Sequence, residues 1–160
     1  MAVGLVVAGV GVPAGVASGV GVPACTNAEL VASYRGGDAA TSHRYGRIVL
    51  TNVSDQACVT GGYGGLSYVG GGDGTQVGAA ADRTRSKVRE LVVRPGRKVV
   101  SRVSETVAGV YPRRECRPAK VDGFRVYLPN ETRSQFVAHR TTGCRDSGVH
   151  LISHRAYRRP

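Results

Sequence analysis

The sequence has no tryptophan, and aromatic residues of all kinds make up only 6% of its 160 residues. A hydrophobic core must therefore be built mainly from Val, Leu, Ile and Ala, and the β-branched Val favours strands over helices. The 23 Gly and 7 Pro residues interrupt the chain too often for long helices. These features predict one domain of short strands joined by many turns.

Acidic residues are also few, since 11 Asp and Glu stand against 22 Lys and Arg and leave a net charge of +11. A positive potential of this size can attract nucleic acid, anionic wall polymers or acidic lipid head groups. The simpler interpretation, which the composition favours, is a solvated arginine-rich surface that keeps the protein soluble. The shortage of aromatic side chains for base stacking argues against specific binding of nucleic acid.

The sequence lacks the short motifs of the common enzyme classes. It contains no Gly-x-Ser-x-Gly and no His-Glu-x-x-His, and no Gly-Lys-Ser/Thr follows the glycine-rich run at residues 70–74. His150 and His154 are four residues apart, which on a strand separates them by roughly 13 Å, too far to share a metal. We therefore expect no catalytic residue, no cofactor and no metal site.

Residues 1–24 are predicted to be a signal peptide or apolar export segment. Residues 2–24 carry no charged side chain, and the segment ends in the small residue Ala24. Pro13, Pro23 and several glycines weaken a membrane-spanning helix, so export to the cell surface or the extracellular space is the expected localisation. The run Val22-Pro-Ala-Cys25 also has a faint likeness to a lipidation motif, which makes a lipid anchor on Cys25 the alternative to a disulfide.

The four cysteines, Cys25, Cys58, Cys116 and Cys144, are an even number with no Cys-x-x-Cys pair among them. This pattern favours two disulfides in an oxidising compartment over a zinc site or a redox dithiol. Three pairings are possible, and the spacing does not choose among them. Pairing of sequence neighbours would close loops of about 30 residues, each worth about 3 to 4 kcal/mol.

Residues 25–160 are predicted to form a single antiparallel β-sandwich. Alternation places Tyr45 and Arg47 on one face of a strand, and Val99, Ser101, Val103 and Glu105 on one face of another. Turn residues separate short runs of this kind, as expected for a sandwich. The predicted strands are Glu29 to Arg35, Arg44 to Asn52, Ala57 to Thr60, Leu66 to Val69, Thr75 to Val77, Arg89 to Val93, Lys98 to Val107, Phe124 to Leu128, Ser134 to Ala138 and Val149 to Ser153.

Basic residues occur in clusters at 83–89, 94–98, 113–117 and 155–159. In the first cluster, alternation along a strand would place Arg83, Arg85, Lys87 and Arg89 on one face, where they could bind phosphate or carboxylate groups. The alternative is an exposed edge strand whose charges prevent aggregation. These four residues are the candidate site for an anionic ligand.

Several segments together resemble a known family. They are Cys25, Gly36-Gly-Asp-Ala-Ala, Leu50-Thr-Asn-Val-Ser-Asp with Cys58, Gly61-Gly-Tyr-Gly-Gly-Leu, Leu91-Val-Val-Arg-Pro-Gly, Cys116-Arg-Pro, Gly123-Phe-Arg-Val-Tyr-Leu-Pro and Thr141-Thr-Gly-Cys144. Their order is similar to that of the actinobacterial exported family called domain of unknown function 4232. The resemblance implies an immunoglobulin-like antiparallel β-sandwich with disulfides Cys25–Cys58 and Cys116–Cys144. It implies no activity and no catalytic residue.

Together these features predict an exported, non-enzymatic module that binds an anionic cell-envelope component or a protein at the cell surface. The alternative hypothesis is a secreted enzyme or enzyme inhibitor whose site is assembled from distant loops. Partners in the membrane are expected only through a lipid anchor at Cys25.

Overall fold

The computed structural model describes residues 21–160, and strands account for nearly all of the regular structure in that range. The helical pieces are a 3-10 turn at Ala108–Val110 and the single-turn helix α1 at Arg113–Cys116. The strands are β1 (Leu30–Ala39), β2 (His43–Asn52), β3 (Cys58–Gly61), β4 (Gly65–Gly70), β5 (Thr75–Ala80), β6 (Asp82–Arg83), β7 (Glu90–Val93), β8 (Lys98–Thr106), β9 (Pro118–Tyr127), β10 (Ser134–Cys144) and β11 (Ile152–His154).

The strands form two main sheets and one separate pair. The larger sheet has the order β1-β2-β8-β11-β6, the smaller one has the order β10-β9-β4-β5, and β3 pairs with β7. All of these pairings are antiparallel except that of β6 with β11. The predicted all-β, sandwich-like fold is thereby confirmed.

The hydrophobic core draws its side chains from both main sheets. Leu30, Ile48 and Leu50 come from the larger sheet, whereas Phe124 and Val126 come from the smaller one, and all are almost fully buried. Burial of each such side chain contributes roughly 1.5 to 3 kcal/mol. The alternation predicted for β8 is also observed, because Val99, Ser101, Val103 and Glu105 are all buried.

The domain contains two disulfides among its described residues, Cys25–Cys58 and Cys116–Cys144. This is the pairing that the family resemblance implied. The first bond ties the segment before β1 to β3, and the second ties α1 to the end of β10. Because the Sγ atom of Cys25 is bonded to Cys58, the alternative of a lipid anchor on this sulfur is contradicted.

The export segment predicted for residues 1–24 lies outside the described residues, apart from its last four. Of these four, Ala24 forms a bridge with Val59, and the Val59 amide donates to the Pro23 carbonyl at 2.8 Å. Over residues 21–160, the helices are too short and too polar to cross a bilayer.

The predicted strands all overlap observed ones, but the β9–β10 hairpin is longer than expected. Strand β9 begins at Pro118 rather than Phe124, and β10 continues to Cys144. The register shifts between Ala138 and Thr141, and this bulge interrupts the period-two pattern on which the prediction depended. The two-residue strand β6 was not among the predicted strands.

The C-terminal segment, residues 155–160, continues from β11 along the same edge of β8. The Arg155 amide donates to the Arg102 carbonyl at 3.0 Å, and Val100 and Arg158 exchange backbone hydrogen bonds of 2.9 and 3.0 Å. Val100 is buried although it points away from the core, and it lines a hollow together with Arg158. The backbone hydrogen bonds also bring the basic C-terminal residues next to the larger sheet.

Candidate anion-binding site

Three arginines lie side by side across the larger sheet. Arg35 in β1 is the register partner of Arg47 in β2, which is in turn the partner of Arg102 in β8. Directly opposite residues project to the same side of a sheet, and neighbouring strands are about 4.8 Å apart. All three side chains are exposed on the outer face. We call these three residues the arginine row.

Among the residues that the structure describes, no carboxylate forms an ion pair with the arginine row. Like charges directly opposite each other on neighbouring strands destabilise a sheet. Within residues 21–160, the ion pairs involve other residues, and Asp38, which shares a hollow with Arg47 and Arg102, is not within ion-pair distance of either. The row is therefore a local concentration of positive charge that is open to an external anion.

A cleft with a volume of about 650 Å³ continues from Arg102 along the C-terminal segment. Seven of its lining residues are basic and one, Glu90, is acidic, while the buried residues Leu91, Ala156 and Tyr157 also contribute to its lining. We call this cleft the basic groove. Its basic residues are Arg85, Lys87, Arg89, Arg102, Arg155, Arg158 and Arg159.

Hydrogen bonds to the C-terminal segment and to Tyr63 hold one side of the basic groove in place. The amide of Ala156 donates to the Ser86 hydroxyl at 2.8 Å. The Tyr63 hydroxyl donates to the Thr84 carbonyl at 2.7 Å and lies 2.9 Å from the Ser86 hydroxyl. The polypeptide at 84–89 is thus anchored to the C-terminal segment, so that basic side chains distant in sequence line one groove.

Three of the four residues of the predicted anionic-ligand face line the basic groove, namely Arg85, Lys87 and Arg89. Arg83 does not, since its guanidinium carbon lies 5.6 Å from the centroid of the Tyr63 ring. The single strand face expected for these residues is not formed, because β6 ends at Arg83 and β7 begins at Glu90. Between these two strands, hydrogen bonds of the Tyr63 hydroxyl to Thr84 and Ser86 hold the chain in place of a strand ladder.

The remaining basic clusters are divided between different surfaces. Arg94, Arg97 and Lys98 line a hollow that adjoins the basic groove through Arg159. Arg117 instead forms an exposed ion pair with Asp146 at 3.1 Å. Sequence proximity alone therefore did not indicate which clusters belong to one surface.

The interior holds a second charged feature, centred on Glu105. Its Oε1 atom accepts from the Tyr34 hydroxyl at 2.8 Å, and its Oε2 atom accepts from the Tyr68 hydroxyl and lies 2.8 Å from His139 Nε2. The His139 ring stacks on Phe124 with centroids 4.7 Å apart. We call Glu105, Tyr34, Tyr68 and His139 the carboxylate cluster.

The carboxylate cluster keeps Glu105 ionised. Burial acts to raise the pKa of Glu105, but the hydrogen bonds from His139, Tyr68 and Tyr34 outweigh it and hold this pKa below its usual range. Burial, together with the adjacent carboxylate, raises the pKa of both Tyr34 and Tyr68. Glu105 is therefore a bonded anion with a low affinity for protons, which makes it a poor general base.

The two histidines that the sequence placed four residues apart have different surroundings. His154 is buried in β11, and burial together with Arg83 lowers its pKa to about 4. His150 is exposed, and its Nδ1 atom lies 2.9 Å from an Asp82 carboxylate oxygen. In the part of the chain that the structure covers, no three His, Cys, Asp or Glu side chains converge as a metal site would require.

Sequence reasoning missed both the arginine row and the carboxylate cluster. The row depends on strand register between residues that are 12 and 55 positions apart, and single-strand patterns carry no such information. For the cluster a signal was present, because alternation had placed a carboxylate, Glu105, on the same face as Val99 and Val103. A charge on an apolar face implies buried partners.

Comparison with known proteins identifies the family of the chain. No curated protein and no solved structure matches the chain. A family model matches residues 25–156, which includes both disulfides, the arginine row and the carboxylate cluster. The chain belongs to the family described as a domain of unknown function (DUF4232).

Proposed function

We propose that the protein is an exported, non-enzymatic module that binds an anionic polymer of the cell envelope. The observation that carries this proposal is the arginine row, in which Arg35, Arg47 and Arg102 are held opposite one another and form no ion pair with any other residue of 21–160. Such an arrangement costs stability in the free protein. A bound polyanion would remove that cost, because it would neutralise all three guanidiniums together.

The dimensions of the basic surface favour an extended ligand. The arginine row crosses three strands and so spans roughly 10 Å. At Arg102 it meets the basic groove, which adds six more basic side chains. Guanidinium groups bind phosphate and carboxylate in a bidentate manner, and a polymer presents such groups at regular intervals. A linear polymer with phosphate or carboxylate in its repeating unit matches this surface.

Two features support the export and the non-enzymatic role. Disulfides such as Cys25–Cys58 and Cys116–Cys144 persist in oxidising compartments, which suggests an environment outside the cytoplasm. Glu105, the buried carboxylate beside a histidine, is fully engaged in hydrogen bonds that lower its proton affinity. This cluster is suited to a structural role rather than to proton transfer.

The proposal is tested by sedimenting the full chain with isolated cell envelopes of its host at salt concentrations from about 50 to about 300 mM, a range over which exposed charges become screened. The triple variant R35Q/R47Q/R102Q removes the arginine row. The matched control R114Q/R133Q/R145Q removes three exposed arginines that lie outside the row and the groove. We expect a bound fraction that falls steeply with salt, is largely lost in the row variant and is retained in the control.

Binding that does not respond to salt, or equal losses in both triple variants, would contradict the proposal. Envelopes treated with protease distinguish the chemistry of the partner. Retention of binding after protease treatment is the expected result, whereas its loss would identify an acidic surface protein instead of a polymer.

A further inference from the structure

A second cleft opens at one end of the sandwich, away from the basic groove. It has a volume of about 420 Å³ and shares no lining residue with the groove. Strands β2, β4, β8, β9 and β10 contribute to it, together with the 3-10 turn and α1. We call it the end cleft. Its charged residues are Arg44, Arg113, Arg140 and Glu105.

The charge of the end cleft is unbalanced. Arg44, Arg113 and Arg140 come from three separate elements, and none of them forms an ion pair within the described residues. Arg44 donates a hydrogen bond to the Thr141 hydroxyl at 2.8 Å, which orients its guanidinium. Glu105 is the one carboxylate among the described lining residues, so these residues carry two positive charges in excess.

Glu105 does not neutralise the arginines directly, because both of its oxygens already accept hydrogen bonds inside the protein. It faces Arg44 across the β2–β8 pair, yet the two side chains are not within ion-pair distance. The three guanidiniums therefore retain donors for a ligand. A ligand with two negative charges would balance the cleft.

The lining of the end cleft also includes apolar and aromatic side chains. They come from Val107, Ala108, Tyr111 and Pro118, and Tyr111 packs against the core. We call these four residues the apolar wall. Arginines and an apolar wall in one small cleft suit an organic anion better than a free inorganic ion. The volume is at the lower end of the usual range for small-molecule sites.

We propose that the end cleft binds a phosphate monoester that carries an aromatic or apolar group. Near neutral pH a phosphate monoester bears close to two negative charges, and it offers several oxygens to guanidinium donors. Arg44, Arg113 and Arg140 bind the phosphate, and the wall at Tyr111 and Pro118 contacts the organic group. This site is independent of the polymer-binding surface proposed above.

The test measures the dissociation constant of phenyl phosphate by calorimetry with the full chain at about pH 7.5, where the second phosphate proton has dissociated. We expect R113Q and R140Q each to weaken binding about tenfold or more, since each removes charge-assisted hydrogen bonds. The control R114Q changes the neighbouring exposed arginine, which does not line the cleft, and it keeps the wild-type affinity. Inorganic phosphate is expected to bind more weakly than phenyl phosphate.

Benzoate, a monoanion, separates a phosphate site from a general anion site. The proposal predicts weaker binding of benzoate, and weaker binding of phenyl phosphate near pH 5, where the ester carries one charge. Benzoate binding as tight as that of phenyl phosphate, equal losses in R113Q and R114Q, or no saturable binding at millimolar concentrations would each overturn it. The variant R35Q/R47Q/R102Q keeps phenyl phosphate binding, so a failure of the envelope-binding experiment does not affect this result.

Discussion

The carboxylate cluster and the arginine row place charge in opposite settings. Glu105 is 2% exposed and accepts hydrogen bonds from Tyr34, Tyr68 and His139. The arginines of the row are exposed and form no ion pair in the described part of the chain. A buried charge without partners would cost several kcal/mol, but a solvated one costs little. The interior therefore fixes its charge by internal bonds, while the surface can leave its charge available for a ligand.

Removal of the buried anion should cause the largest loss of stability. In Glu105→Leu, the hydroxyls of Tyr34 and Tyr68 and the ring of His139 lose their shared acceptor inside the core. We expect the free energy of unfolding to fall by about 3 to 5 kcal/mol, measured by urea denaturation. Glu90→Gln, at an exposed carboxylate, should change it by no more than about 0.5 kcal/mol. A loss of the same small size for Glu105→Leu would show that the cluster is not structural.

Glu105→Gln removes the charge but keeps the shape of the side chain. It should lower the free energy of unfolding by about 1.5 to 3 kcal/mol near neutral pH, because hydrogen bonds to a charged group are replaced by neutral ones. The folded pKa of Glu105 lies below its ordinary value of 4.5, so the stabilisation is complete above that pH and is lost as the pH falls through the folded pKa. Urea denaturation at several pH values down to about 3 should show the two proteins converging. A difference that stays constant across this range would contradict the assignment of Glu105 as ionised.

The buried base His154 should make stability depend on pH in a different window. Its pKa in the folded protein is about 4, whereas the ordinary pKa is 6.5. Below pH 6.5 the unfolded chain therefore binds a proton that the folded protein does not bind. Stability should therefore decline as the pH falls from 6.5 towards 4, by roughly 2 kcal/mol at about pH 5. His154→Gln should lack this slope, and His150→Gln, at an exposed histidine, should retain it. The same slope in His154→Gln would show that other groups cause the decline.

The smallest expected change in stability concerns the arginine row, and it is an increase rather than a loss. Arg47→Glu places an acid between Arg35 and Arg102 and replaces two like-charge contacts with attractive ones. We expect the free energy of unfolding to rise by about 0.5 to 1 kcal/mol in low salt. Lys120→Glu, on a strand where Thr142 is the partner, should give no such gain. A loss of stability in Arg47→Glu would mean that the row is not strained by its own charge.

The fold was largely predictable, because alternation and turn residues are local properties of the chain. Val99, Ser101, Val103 and Glu105 are buried as expected. Part of the site was predictable for the same reason, since Arg85, Lys87 and Arg89 are close together in sequence. The arginine row and the contact of Arg155 with Arg102 depend on long-range register, which is set by the packing of the whole sandwich. Local sequence patterns carry no information about that packing.

The central claim is that a defined set of unpaired arginines, rather than the net charge, binds a polyanion. The most direct test is the salt dependence of the affinity for polyphosphate, compared among the wild type, R35Q/R47Q/R102Q and R114Q/R133Q/R145Q. Each phosphate contact contributes about 0.7 to the slope of log affinity against log salt for a single-stranded polyanion. The account predicts a slope reduced by about two in the row variant and unchanged in the control. Equal reductions in both variants would contradict it, because only the overall charge would then matter.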